Sequence, residues 1–369
     1  MARIASDLES GGHTVARFWR ESAEWQQPGA PPKWKQPFLL WRNPSVLGEL
    51  RRLHESFRAD LWLLHNVIPV VSLDIYRLAG ELRTPVIQWL HNYRPFSPSG
   101  TLFAGRTLLK PDDPWIAWKE TLHGSWNGRI LTAWLAMGYA RLKRRGDFES
   151  VRAWVTVSEQ MKNIFTQAGW FPDQLYALPH SWHAQPVPAD ARDEGYFLFL
   201  GRMVEAKGVR FLVQLWRDPA LREVQLVMAG DGPLASELRA QSPPNVRWVG
   251  HVEGDVKQKL KAACRAILFP SIWPEPLSTV AYEAYEMNKP MLASNQGGMP
   301  EVVMHGQTGF LLPPGDGPAW RQQILQLAQD AALGARLGIQ GRRWLDAEVS
   351  PARWVARFDS IARQSGCLR

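Results

Sequence analysis

Apolar residues recur along this chain in two alternating rhythms. Short apolar runs that read as buried strands stand at residues 60–66 (DLWLLHN), 85–90 (PVIQWL), 153–159 (AWVTVSE), 196–202 (YFLFLGR), 245–254 (NVRWVGHVEG) and 266–270. Between them, apolar positions fall at helical spacing. Ser45 is expected to cap a helix whose Val46, Leu50, Leu53 and Phe57 share a face, and Val209, Leu212, Val213 and Trp216 share another. Residues 71–82, 124–145 and 255–263 also read as helices, with Leu131, Trp134, Leu135, Gly138 and Leu142 on one side of the second. Ser158 caps the helix after 153–159, and 175–180 (LYALPH) closes the first half. Residues 12–18 (GHTVARF) read as a strand behind a short helical piece, MARIASDLES. Residues 180–194 contain Pro186 and Pro188, lack any period and predict a hinge. The tail, 319–364, is helical with breaks expected at Gly334, Gly338 and Pro351.

Strands alternating with helices predict an α/β protein of two doubly wound, Rossmann-like units with parallel sheets. Ligands of such sheets gather at the carboxyl ends of the strands. His65 and His91 stand at two such ends.

At 369 residues the chain is long enough for two cores, and with 45% hydrophobic and 21% charged residues it reads as globular. No apolar run approaches the eighteen or so residues of a membrane span. MARIASDLES lacks a signal peptide's apolar centre, so a cytoplasmic location is expected. Cys264 and Cys367 are too few for a disulfide framework or a structural zinc site. The net charge of +8 asks for an anionic partner. Most of the nineteen tryptophans are expected in the core. Arg141, Lys143, Arg144 and Arg145 read first as solvated cations at a helix C-terminus, and second as peripheral contact with an anionic membrane.

The chemistry concentrates in residues 269–301. Leu277, Ser278 and Thr279 open a helix, Ser278 as its N-cap, with Val280, Ala284 and Met287 as its apolar stripe. Asn288 ends it in left-handed geometry before Pro290. A helix start can hold a phosphate, and Glu283, one turn on, suits a neighbouring diol. Glu275 then faces whatever lies beyond the phosphate. Upstream, Arg202 and Lys207 flank a strand-to-helix turn, where both cations can converge on a diphosphate. Taken singly, each of these is an ordinary surface charge.

Glu275 and Glu283, eight apart and followed by ASNQGGMPEVV and TGFLLPPGD, resemble the retaining nucleotide-sugar glycosyltransferases of glycosyltransferase family 4 (glycosyl transferases group 1). The resemblance implies the GT-B fold, two Rossmann-like domains facing across a cleft. It divides the chain into an acceptor-side domain at 1–185, a donor domain at 186–345 and a helix crossing back at 346–369. It also implies that the first strand and its glycine-rich loop have no counterpart here. Arg202 and Lys207 would hold the donor diphosphate, Glu275 the sugar and Glu283 the ribose. Leu277, Ser278 and Thr279 would serve the phosphate, and backbone around Gly250 and Val252 the base. His91, in LHNYRPFSPSGTLF, matches a family loop whose histidine contacts the transferred sugar, and His65 matches a second recurrent segment. Pro276 replaces a frequent glycine and has no N–H to give.

By that resemblance the chain transfers a sugar from a UDP-, GDP- or ADP-sugar to a glycan or lipid-linked hydroxyl with retention, in cell-surface polysaccharide or glycoconjugate synthesis. No cofactor, metal or covalent nucleophile is expected, and no Asp-x-Asp pair occurs. Nucleic acid is not an expected partner. A binding-only relative that has lost the N-terminal loop is the alternative. A third reading rests on Gly230, Gly232 and Ala235 with Glu253 about twenty residues on, the dinucleotide fingerprint of an oxidoreductase or nucleotide-sugar epimerase.

Overall fold

The structure, a computed structural model, describes residues 2–105, 107–188 and 192–368. Residues 189–191 of the expected hinge lie outside them. The chain forms two compact units. One ends at Pro179 and takes up the chain again at Trp354; the other is His180–Arg353.

In the first unit β1 (Trp62–Leu64) and β2 (Val86–Leu90) pair in parallel. A two-residue hairpin, β3 (Phe103–Ala104) and β4 (Thr107–Leu108), stands apart. Then β5 (Val151–Thr156) and β6 (Leu175–Ala177) extend the sheet to the order β1-β2-β5-β6. All five β2 residues are buried. A parallel sheet covered on both faces demands such uninterrupted apolar strands.

The second unit carries β7 (Phe197–Leu200), β8 (Leu226–Ala229), β9 (Val246–Gly250), β10 (Ala266–Phe269), β11 (Met291–Ser294) and β12 (Gly309–Leu312). They lie in the order β12-β11-β10-β7-β8-β9, all parallel. The pleat sends alternate residues to opposite faces. Phe197, Phe199, Leu226, Met228 and Leu268 therefore join Leu212, Trp216 and Trp320 in one core. Leu198, Leu200, Val227, Ile267 and Phe269 join Tyr282 and Tyr285 in the other.

Six expectations need correction. Ser45 does not cap: it lies inside the helix Pro44–Phe57, whose N-cap position Asn43 holds without a side-chain bond. Residues 12–18 form no strand: their side chains are only half-buried or exposed, and alternation without a neighbouring strand to pair with does not hold a strand. The helix read at 124–145 begins only at Arg129 and runs to Arg145, because Gly124, at φ 64°, ends a separate helix Ile116–His123 and Gly128, at φ 93°, precedes the new one. Ser278 does not cap: Thr279 holds the N-cap position, without a side-chain bond, before the helix Val280–Glu286. The end of that helix is as read, with Asn288 at φ 53°.

Gly334 and Gly338 do not break a helix, since Ala331–Glu348 is continuous. Gly338 instead permits contact: a Cβ there would lie 1.9 Å from the Asn288 carbonyl oxygen. The break comes at Asp330, whose carboxylate caps the next helix at Leu333 N–H, 2.8 Å away. Finally, only seven of the nineteen tryptophans are buried, and Trp19, Trp34, Trp115 and Trp118 are more than half exposed.

Candidate functional site

Strand order in the second unit reverses between β7 and β10, which lie side by side with Phe197 opposite Ala266 and Phe199 opposite Leu268. Open parallel sheets bind ligands in the crevice outside the carboxyl ends at such a reversal. Both charge clusters read from the sequence leave the sheet there. Arg202 stands exposed two residues past β7, and Glu275 follows β10.

A single helical turn, Glu205–Lys207, closed by Gly208 at φ 68°, carries Lys207 across. A Cβ on Gly208 would sit 2.0 Å from the Pro270 carbonyl oxygen, so glycine alone lets the turn lie against the exit of β10. Lys207 Nζ consequently reaches both Glu275 oxygens at 2.7 Å. Ser271 Oγ donates to Glu275 Oε1 at 2.9 Å, and Gly298 N–H donates to the Glu275 carbonyl at 2.9 Å. Gly297, at φ 60°, makes that last approach feasible: a Cβ would meet the Glu275 carbonyl oxygen at 2.3 Å. The glycine pair of ASNQGGMPE thus clamps the backbone of the acid. The Lys207 side chain keeps 25% exposure and that of Glu275 8%, so the pair opens to solvent on its cationic side.

Glu283 does not stand alone. Its Oε2 lies 2.7 Å from Lys257 Nζ and 3.5 Å from Lys261 Nζ. Lys261 is buried and reaches Glu286 Oε2 at 3.1 Å, while Glu286 Oε1 accepts from Gln185 N–H at 2.9 Å and Trp182 Nε1 at 3.2 Å. A chain of alternating charges therefore runs from the surface inward, which lets buried ions persist. Ser278 is buried and Leu277 and Thr279 half-buried beside this helix start. Gly250, at φ 74°, ends β9, and its carbonyl accepts from Gly230 N–H at 2.7 Å; Val252 follows half-buried.

The dinucleotide-like glycines have a different use. A Cβ on Gly230 would lie 1.8 Å from the Gly201 carbonyl oxygen, and one on Gly232 2.7 Å from that of Met203. They let two loops touch backbone to backbone just ahead of the helix Ala235–Gln241.

In the first unit, β1 and β2 deliver His65 and His91 to one edge, and His65 Nδ1 lies 2.8 Å from His91 Nε2. One nitrogen of the two donates and the other accepts. Their rings stack on Trp89, which stacks on Trp354 at 5.4 Å. The structure thus joins Lys207 to Glu275 and His65 to His91, with Arg202 and Glu283 elsewhere in the second unit.

Residues 194–330, which hold every second-unit side chain from Arg202 to Glu283, match the family described as Glycosyl transferases group 1. They form a glycosyl transferases group 1 domain. The chain is similar to the D-rhamnosyltransferase WbpZ of Pseudomonas aeruginosa, 31% identical over 149 residues, 39% of this chain and 38% of that protein. The match spans well under half of that relative's length. Alpha-maltose-1-phosphate synthase of Mycolicibacterium smegmatis is 27% identical over 289 residues, covering 69% of this chain and 71% of that protein. The solved structure of Anabaena HepE in complex with UDP and glucose aligns over 94% of this chain and 84% of its own at 17% identity, with a TM-score of 0.63. The fold is GT-B.

Three residues of the group 1 domain escaped the sequence reading. Lys257 and Lys261 were signalled by their i, i+4 spacing in KQKLK, but nothing local said that their face meets Glu283. Ser271 carried no signal, because its role depends on a loop returning to Glu275.

Proposed function

We propose that the protein is a retaining glycosyltransferase of family 4, moving a sugar from a nucleoside diphosphate sugar to a hydroxyl of a glycan or lipid-linked acceptor in polysaccharide or glycoconjugate synthesis. The contact between Lys207 and Glu275 at the sheet's reversal carries this reading. A diphosphate there meets two cations, Arg202 and Lys207, and Lys207 turns from Glu275 toward it through its exposed side. Glu275 is left facing the sugar. Glu283, tethered by Lys257, takes the ribose diol, Leu277, Ser278 and Thr279 flank the phosphate, and backbone around Gly250 and Val252 meets the base.

The reaction needs no protein nucleophile. The bond from the sugar's anomeric carbon to phosphate breaks as the bond to the acceptor oxygen forms on the same face, and the acceptor's proton passes to the departing phosphate. Arg202 and Lys207 stabilise the charge that develops on that phosphate. His91, held by His65, is the first unit's candidate for contact with a sugar. The two sugar-handling relatives and the UDP and glucose held by HepE support this class of substrate.

The test is hydrolysis or transfer from a panel of UDP-, GDP- and ADP-sugars, with and without EDTA. Turnover of one donor, unchanged by EDTA, is the expected result. Donor binding without turnover would establish the binding-only alternative, and a donor-independent spectral change of added nicotinamide cofactor would overturn both.

A further inference from the structure

Four exposed apolar residues of the first unit, Trp34, Phe38, Ile130 and Met137, belong to two neighbouring helices and the turn before one of them. Ile130, Trp134, Met137 and Arg141 follow one another at i, i+4, i+7 and i+11 along Arg129–Arg145, with Arg144 and Arg145 one turn further. This stripe lies about a third of a turn from the face that buries Thr132, Leu135, Tyr139 and Leu142. Ile130 is 73% and Met137 46% exposed.

The neighbouring helix Gln36–Trp41 widens the stripe. Phe38, 61% exposed, packs edge-on against Trp134 at 5.5 Å, and Trp41 stacks on Trp134 at 4.9 Å. Trp34, 68% exposed, precedes that helix with Lys35 over its ring, and Arg141 lies over Trp41. The charge here is mainly positive: residues 33–42 and 129–145 contain eight Lys and Arg and no Asp or Glu, while Asp74 pairs with Arg42 and Asp147 with Arg145.

We infer that this face is a docking surface for an anionic lipid bilayer. Apolar and tryptophan side chains in a bed of cations are the composition of an interfacial helix, whose apolar face enters the headgroup boundary while the cations attract anionic lipid. A second copy of the chain suits the face poorly, because cations would meet cations across it. The sequence favoured solvated cations at the end of Arg129–Arg145; the exposed apolar stripe beside them reverses that preference.

Co-sedimentation of the full chain with vesicles, without any donor, tests the inference, and its failure leaves the transferase reading standing. Binding to phosphatidylcholine vesicles containing phosphatidylglycerol, with none to phosphatidylcholine alone, is expected, together with a blue shift of tryptophan emission. Ile130→Asp with Met137→Asp is expected to weaken binding at least about tenfold. Arg144→Glu with Arg145→Glu, both exposed positions, the second 3.9 Å from Asp147, is expected to do the same and to remove its salt sensitivity. Unchanged binding by both variants, absence of binding to the anionic vesicles, or a wild-type dimer that Ile130→Asp disperses would each overturn the inference.

Discussion

Lys207 and Glu275, 68 positions apart in the chain, meet with one ammonium against both oxygens of one carboxylate at 2.7 Å. The geometry makes each the other's counter-ion until something more anionic arrives. Lys207→Ala is expected to lower donor turnover by about a hundredfold or more, the usual consequence of removing one stabiliser of developing charge. It also strands the buried Glu275, so the melting temperature should fall; Lys207→Met with Glu275→Leu should recover stability without activity. Turnover assays beside thermal melts of the three variants separate the two effects, and a fully active Lys207→Ala would end the assignment.

The tether on Glu283 gives a finer expectation. Lys257→Met leaves the acid in place but free to swing, so the Michaelis constant for the donor should rise several-fold while the maximal rate stays within about twofold. Glu283→Ala should raise that constant further. Steady-state kinetics over a range of donor concentration read the difference; an equal fall in rate for both variants would mean that the acid acts in the chemical step.

Gly338→Ala tests the packing beneath the helix that bears Glu283. The added methyl would fall 1.9 Å from a backbone oxygen of Asn288, which cannot rotate away. Overpacking of this kind destabilises by about 1–3 kcal/mol. Gly334→Ala, whose nearest neighbour would be the Arg265 side chain at 3.3 Å, should be far milder, and could even raise the melting point through better helix propensity.

Alkaline pH should loosen the second unit. Burial pushes the Cys264 thiol up to about 12 and raises the Tyr196 and Tyr285 hydroxyls above their ordinary value. The folded state thus keeps protons that the unfolded chain releases above about pH 9, so stability falls as pH rises, by about 1.4 kcal/mol per unit for each group fully in its window. Cys264→Ala should flatten part of that slope in chemical unfolding measured at about pH 8 and about pH 11. At neutral pH the native thiol should resist alkylation that the denatured chain undergoes at once.

How far the sequence reaches differs between fold and site. Apolar runs located β1, β2, β5, β7, β9 and β10, since strands buried on both faces leave long apolar signatures. GHTVARF failed because pairing is not a local property, and Gly334 and Gly338 misled because a helix tolerates glycine where a neighbour presses close. The charged candidates, Arg202, Lys207, Glu275 and Glu283, stood out in the sequence. Their partnerships were not: which lysine meets which glutamate depends on β7 lying beside β10, and strand order leaves no trace in a single sequence. The apolar stripe on Arg129–Arg145 was half seen, as Trp134 was taken for core with Leu131.

Gly230 lies so close to the Gly201 carbonyl oxygen that main chain meets main chain there, with no room for a Cβ. Main chain in contact with main chain leaves little for substitution to change, so on the proposed function a shift in donor preference is expected to enter through side chains such as Arg202, Ile272 and Trp273. A library built to alter the donor would do well to leave the glycine codons untouched and spend its diversity there.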